Sequence, residues 1–348
     1  MSEETIDLVI KDPKRIEWVD YIKAFACLLV VIGHLIQSLQ KAGIDNYESI
    51  TSYINWFIYL FHMPLFMCMS GFLYCNKKQP FSWNNYKKFE IKKIINLAIP
   101  YFTFYLVYVI ANMLFSNSVN SPKSINDIIA IFNNPISPYW FLYALLSIFI
   151  VIPLIGKIFK NNKKSIFVFF VGLKIMYIFI QPPIFFLNQI MAYGIYFYFE
   201  SFISEIIKNK NIKNMISNIG IYTILSIIVY CYRDSLDEYA KSFLNIFFAI
   251  DGIVICVQVF CNINRLTWLD TLKKYTFQIF VLHTIFAAGI RIILLKIGIT
   301  NYFIHFVFGV LASIYIPVAV SKISNKILYT DFFFFPLKTI EEIQERKI

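Results

Sequence analysis

The sequence predicts an all-α, polytopic integral membrane helical bundle of about ten transmembrane helices, with N- and C-termini cytoplasmic. Three observations predict it. The 348 residues are 58% hydrophobic and 15% charged, with a mean hydropathy of +0.63, whereas soluble domains carry about 25% charged residues. The apolar residues form continuous runs near the ~20 positions that cross a bilayer, not the alternating pattern of a membrane barrel. The 32 Lys and Arg residues gather on alternate connecting segments.

The elements follow in order. A polar arm, 1–16, precedes a first span at 17–40 with no small-residue cleavage site, so this span is expected to stay in the mature protein. A second span follows at 49–75. The basic stretch from Trp83 to Asn96 sets Lys88 and Lys92 beside Phe89, Ile91 and Ile94, and is expected to lie on the cytoplasmic surface before the third span, 94–116. Further spans are expected at 138–156, 165–181, 184–207, 215–232, 242–261, 275–295 and 301–321. A polar tail, 322–348, closes the chain, leaving 17–321 as a single transmembrane domain.

With the N-terminus inside, the outer segments hold Lys41, Lys123, Arg233, Lys241 and Lys296, while the inner ones hold nearly all the other Lys and Arg residues. That asymmetry is the positive-inside pattern. Charge therefore reports topology; membrane lipid is an expected partner and nucleic acid is not. The six cysteines lie mostly inside spans without metal-ligand spacing, so they read as packing residues and no metal is expected.

Ionisable groups at membrane depth carry the functional information, because each costs about 2.5–3.5 kcal/mol to insert. Lys23 and His34 are eleven positions apart, which is three turns plus about 20° and about 16 Å of rise, so they share one face of the first span. Lys23 can snorkel or meet an anion, and His34 can pack or do chemistry. The second span brings His62 to the depth of His34, with Pro64 to kink the helix and Ser70-Gly71 to allow close backbone approach. Lys174 and Asp251 fall near the middle of their spans and are expected to pair, whereas Arg291 and His305 lie near the outer interface and are expected to snorkel. Glu200, near the cytoplasmic end of the sixth span, has no assigned role. Trp140 and Tyr139 can form part of an interfacial belt or stack on a sugar.

One combination of motifs goes further. Asp20-x-x-Lys23-x10-His34, then Phe61-His62-Met63-Pro64-Leu65-Phe66 and Ser70-Gly71-Phe72, resembles the membrane acyltransferase family 3. Ile99-Pro100-Tyr101, Pro138-Tyr139-Trp140-Phe141-Leu142 and Ile279-Phe280-Val281-Leu282-His283 agree with it. Lacking an appended domain, the chain is similar to the fucose 4-O-acetylase-like and polysaccharide O-acetyltransferase members.

The resemblance implies a multi-pass enzyme of a cell membrane, expected to be the bacterial cytoplasmic membrane. Such an enzyme takes an acyl group, usually acetyl, from cytoplasmic acyl-CoA and delivers it to a hydroxyl of a cell-surface or lipid-linked glycan. Acetyl-CoA is then the donor and co-substrate. His34 is the expected general base or transient acyl carrier, with His62 as its catalytic partner. Lys23 stands where the family more often has Arg, keeping the charge without the bidentate fork. Lys23, Lys88 and Lys92 are the expected contacts to CoA phosphates, although anionic lipid would also account for the loop lysines. Ser70, Trp140 and His283 are the expected acceptor-side contacts. A glycan or lipid-linked sugar transporter is the main rival, but a cation-coupled carrier should cluster Asp or Glu at depth. A sensor or assembly subunit is the third reading, and it would tolerate loss of His34.

Overall fold

The structure, a computed structural model, describes residues 16–75, 83–208, 211–263, 266–327 and 330–345, with side chains from position 91 in the segment that begins at 83. It is helical, with no strand among the described residues. The long helices are α1 (Glu17–Lys41), α2 (Glu48–Cys75), α3 (Trp83–Leu114), α5 (Trp140–Ile158), α6 (Lys163–Phe179), α7 (Phe185–Tyr198), α9 (Ile212–Tyr232), α10 (Glu238–Asn262), α11 (Asp270–Lys296) and α12 (Tyr302–Ser324). Short helices are α4 (Ile125–Ile129) before α5, α8 (Ile203–Lys208) after a 3-10 turn that ends α7, and α13 (Pro336–Glu345) at the end.

Nine segments among the described residues are long and apolar enough to cross a bilayer, one of them joining α7 and α8 as Phe185–Lys208. The exception among the ten expected spans is α6, whose 17 residues rise about 26 Å against a hydrocarbon core of about 30 Å. It nevertheless runs antiparallel along the neighbouring span: Lys163 pairs with Glu200 at one end (3.1 Å) and Lys174 Nζ donates to the Ala192 carbonyl further along (3.0 Å). Between these contacts the Phe170 ring lies so close to Gly194 that a Cβ there would meet it at 2.1 Å.

The stretch 83–96 differs from expectation. It is continuous with the third span in the 32-residue helix α3, because nothing before Pro100 breaks the helical run and Pro100 is absorbed inside it. Helix α13 straps the start of α3, where Lys92 pairs with Glu341 (3.4 Å) and the Leu337 N–H donates to Asn96 Oδ1 (3.3 Å).

Helix α1 is central, packing on α2, α10, α11 and α12. Its small residues Ala24, Ala26 and Cys27 are fully buried, letting neighbouring backbones approach where hydrophobicity alone drives little association. The expected close approach at Gly71 is present: a Cβ there would lie 1.9 Å from the Phe197 carbonyl oxygen of α7. Helix α9 is peripheral, with 11% of its apolar window buried and Ile216, Ile221, Ile224 and Ile228 facing outward. On the side where α1 begins, Lys273 ties α1 to α11 through Glu17 (2.8 Å), Asp270 (2.7 Å) and the Tyr21 hydroxyl (3.1 Å).

Two expected placements are corrected. Lys174 does not pair with Asp251; it lies over the Tyr177 and Tyr196 rings at 5.1 and 5.5 Å, while Asp251 accepts from Asn218 Nδ2 at 2.9 Å. Each helix turns its polar group to its own hairpin partner. Nor do Arg291 and His305 snorkel: they are 3% and 1% exposed. Arg291 Nη1 donates to the Ser38 hydroxyl, and His305 Nε2 donates to the Ile299 carbonyl at 2.8 Å. Both point into the bundle, and each finds at least one partner there.

Candidate active site

Four elements converge on His34. Helix α1 carries it past mid-depth, the segment before α5 brings the Ser137 hydroxyl to 3.5 Å from His34 Nε2, and α11 sets the His283 ring 5.3 Å away. Helix α2 adds Tyr59, whose ring stands edge-on to His34 at 6.4 Å and contacts the His62 ring at 4.7 Å. The row is therefore His283, His34, Tyr59, His62. Tyr139 fixes the start of α5 against α11 by donating its buried hydroxyl to the Val281 carbonyl (2.8 Å).

The tautomers follow from the carbonyls, which only accept. His62 Nδ1 faces the Ile58 carbonyl at 2.7 Å, and His283 Nδ1 faces the Phe280 carbonyl at 2.8 Å. Nδ1 of each carries the proton, so Nε2 of each neutral ring keeps its lone pair. His283 Nε2 is buried without a hydrogen-bond partner.

Two cavities meet at His34 and Ser137, which line both. The smaller, about 320 Å³, holds His62, Trp140, Lys174, Tyr193 and Asn245 in its wall. The larger, about 520 Å³, lies toward the far end of α1 and is lined by Ser38, Lys41, Asn112, Arg291 and Lys296 among others. Trp140 and Tyr193 rings are 5.3 Å apart and form an aromatic wall in the smaller cavity.

The expected site residues divide. His34, His62, Trp140 and His283 come together. Lys23 is partly buried on the same face of α1 as His34 but lines neither cavity. Between them Cys27 and Val30 are 0% and 1% exposed; Cys27 Sγ donates to the Thr276 carbonyl (3.5 Å), and Val30 borders the smaller cavity. Ser70 also lines neither cavity; its hydroxyl donates to the Phe66 carbonyl one turn back (2.8 Å). Lys92 is exposed beside Glu341, and the Lys88 side chain lies outside the described residues. No group of three or more His, Cys, Asp or Glu that could hold a metal is found among the described residues.

Sequence reasoning missed Ser137, Tyr59 and the inward turn of Lys174 and Arg291. Ser137 directly precedes the recognisable Pro138-Tyr139-Trp140, which was the available signal.

A family model described as an acyltransferase domain matches residues 16–322. The chain belongs to the membrane acyltransferase family 3. The acyltransferase match runs from the start of α1 almost to the end of α12, so it contains every residue of both cavities. Two curated relatives are nodulation proteins NolL. That of Mesorhizobium japonicum is 30% identical over 135 residues, covering 38% of this chain and 34% of the relative. That of Sinorhizobium fredii is 44% identical over 54 residues, covering 16% of this chain and 14% of the relative. The acyltransferase chain thus covers about a third or less of these relatives' lengths. No solved structure matches it.

Proposed function

We propose that this protein is a membrane O-acyltransferase that moves an acyl group, acetyl in the commonest case, from cytoplasmic acyl-CoA to a hydroxyl of a cell-surface or lipid-linked glycan. The observation that carries the reading is the position of His34 in the wall of both cavities. One imidazole then faces a bound hydroxyl from either space.

In this reading a sugar stacks on Trp140 and Tyr193 in the smaller cavity, as rings of that kind accept apolar sugar faces. Its hydroxyl loses a proton to His34 as the oxygen attacks the thioester carbonyl. A C–O bond forms, the C–S bond breaks, and the proton passes from His34 to the departing CoA thiolate. His62 and His283 hold the row in place, and the Ser137 hydroxyl offers His34 a hydrogen bond. Lys23, with Lys88 and Lys92, meets the CoA phosphates on the side where α1 begins, which the positive-inside pattern makes cytoplasmic.

A second reading, in which the acceptor need not be present when the thioester reacts, has His34, which borders both cavities, carry the acyl group itself. Its nitrogen attacks the thioester carbonyl, the N–C bond forms as the C–S bond breaks, and the CoA thiolate leaves with the ring's other proton; the acceptor oxygen then forms the C–O bond as the N–C bond breaks, and the hydroxyl proton returns to the imidazole.

The test is transfer of label from radiolabelled acetyl-CoA into envelope glycan, comparing membranes with the native protein and with His34→Ala at matched expression. Label that disappears with His34→Ala supports acyl transfer through this residue. Absence of label from both, with acceptor glycan present, rejects the proposal and favours a glycan transporter. Acid-labile label on the native chain in the absence of acceptor selects the acyl-carrier route.

A further inference from the structure

The larger cavity has both basic and apolar residues in its lining. Arg291 is 3% exposed; its Nη1 is held by the Ser38 hydroxyl and carbonyl, the latter at 3.4 Å, and its Nε has no hydrogen-bond partner. Lys41 and Lys296, both exposed, stand at the rim. No Asp or Glu is among the described residues lining the space. A buried guanidinium with neither carboxylate nor full hydrogen bonding is costly, and the simplest group to complete it is an anion supplied by the ligand.

Apolar lining comes from Ala111 of α3, Phe115 just after it, and Ile285, Ile292 and Ile293 of α11. Phe115 and Ile293 are 58% and 56% exposed on the outside of the bundle, so this wall continues onto the lipid-facing surface. At about 520 Å³ the cavity falls within the range of about 300–1,000 Å³ typical of small-molecule sites.

Resting on the acyl-transfer reading, we propose that the acceptor is an anionic amphiphile: its sugar lies at His34, and its negatively charged group, a phosphate or a sugar carboxylate, sits on Arg291 with an attached lipid chain along the α3–α11 wall. Lys41 and Lys296 draw the charge in. Neutral glycans bind without this contact and are poor acceptors.

The test is ligand-induced thermal stabilisation of the full chain purified in detergent, which needs no turnover. The probes are octyl glucuronide, octyl phosphate, neutral octyl glucoside and CoA. Octyl glucuronide, octyl phosphate or both should bind at least about tenfold more tightly than octyl glucoside, and Arg291→Gln should erase that preference while leaving the CoA response intact. Preference for the phosphate or for the glucuronide identifies which anion the acceptor carries. Lys41→Gln combined with Lys296→Gln, on the exposed rim, should weaken the charged probes severalfold and covers the case in which Arg291→Gln does not fold. Equal binding of charged and neutral probes by the native protein overturns the proposal. So does an Arg291→Gln variant that keeps the preference, or one that loses the CoA response, which would assign the cavity to the donor. Failure of label transfer in the preceding experiment, with anion preference retained, would reject acyl transfer and leave the anion site standing.

Discussion

The His34 and His283 rings lie 5.3 Å apart with 41° between their planes, and His283 Nε2 is buried there without a hydrogen-bond partner. An acceptor with no donor is unusual in a packed interior. It becomes useful when the neighbouring imidazole takes up a proton and needs somewhere to direct it. In the proposed reaction His283 is then a positioning residue for His34.

His283→Phe keeps the ring and removes the lone pair. The expected result is a kcat lowered about 10- to 100-fold with KM for acetyl-CoA unchanged. The thermal midpoint should stay within a few degrees of the native value, because an unsatisfied polar atom is lost along with the histidine's backbone hydrogen bonds. Steady-state kinetics and a thermal melt on one preparation separate this outcome from a packing defect, which would lower the midpoint and leave kcat per folded molecule alone.

In the proposed reaction Lys23 acts on the donor. Lys23→Ala should raise KM for acetyl-CoA about tenfold with a smaller effect on kcat, whereas Lys23→Arg, which keeps the charge and adds a bidentate fork, should retain or improve it. Initial rates across a range of acetyl-CoA concentrations make the comparison. Equal KM values in all three proteins would remove Lys23 from the donor site.

Gly71 is a packing test independent of activity. A methyl group there would sit 1.9 Å from the Phe197 carbonyl oxygen, and that backbone atom moves only if α2 and α7 separate. Gly71→Ala should destabilise by about 1–3 kcal/mol, read as a lower melting temperature and lower yield in membranes.

Asp127, in the segment before α5, gives a pH signature. Partial burial raises its carboxyl, but hydrogen bonds from the Ser124 N–H (2.8 Å) and hydroxyl (3.2 Å), together with Lys123 at 3.4 Å, outweigh this and hold it below the usual carboxylate range. A depressed carboxyl contributes stability that is complete above its unfolded pKa of about 3.9 and lost as pH falls through the folded value. The melting temperature of the native protein should therefore exceed that of Asp127→Asn at pH 6, and the gap should close as the pH falls below about 4. A gap independent of pH would mean that the charge contributes nothing.

Much of the bundle was legible in the sequence because bilayer crossing demands uninterrupted apolar length, and Lys and Arg record the side of each connection. His34 and His62 were legible as neighbours because depth can be counted along two antiparallel helices. What depth cannot give is azimuth. Arg291 and His305 sit where a snorkelling chain would, yet both turn inward, and that depends on which neighbour fills the adjacent groove. Lys174 and Asp251 share a depth without sharing a face. The continuity of α3 was hidden for a related reason: a basic amphipathic stretch reads alike whether it lies on the membrane or prolongs a span.

The packed stretch of α1 at Cys27 and Val30 has an electrical consequence. A membrane that stores energy as a proton gradient cannot tolerate a standing column of water through one of its proteins. Cys27, fully buried below His34 and donating to the Thr276 carbonyl of α11, interrupts a line of water along this face of α1. Protons crossing along this face would have to displace it.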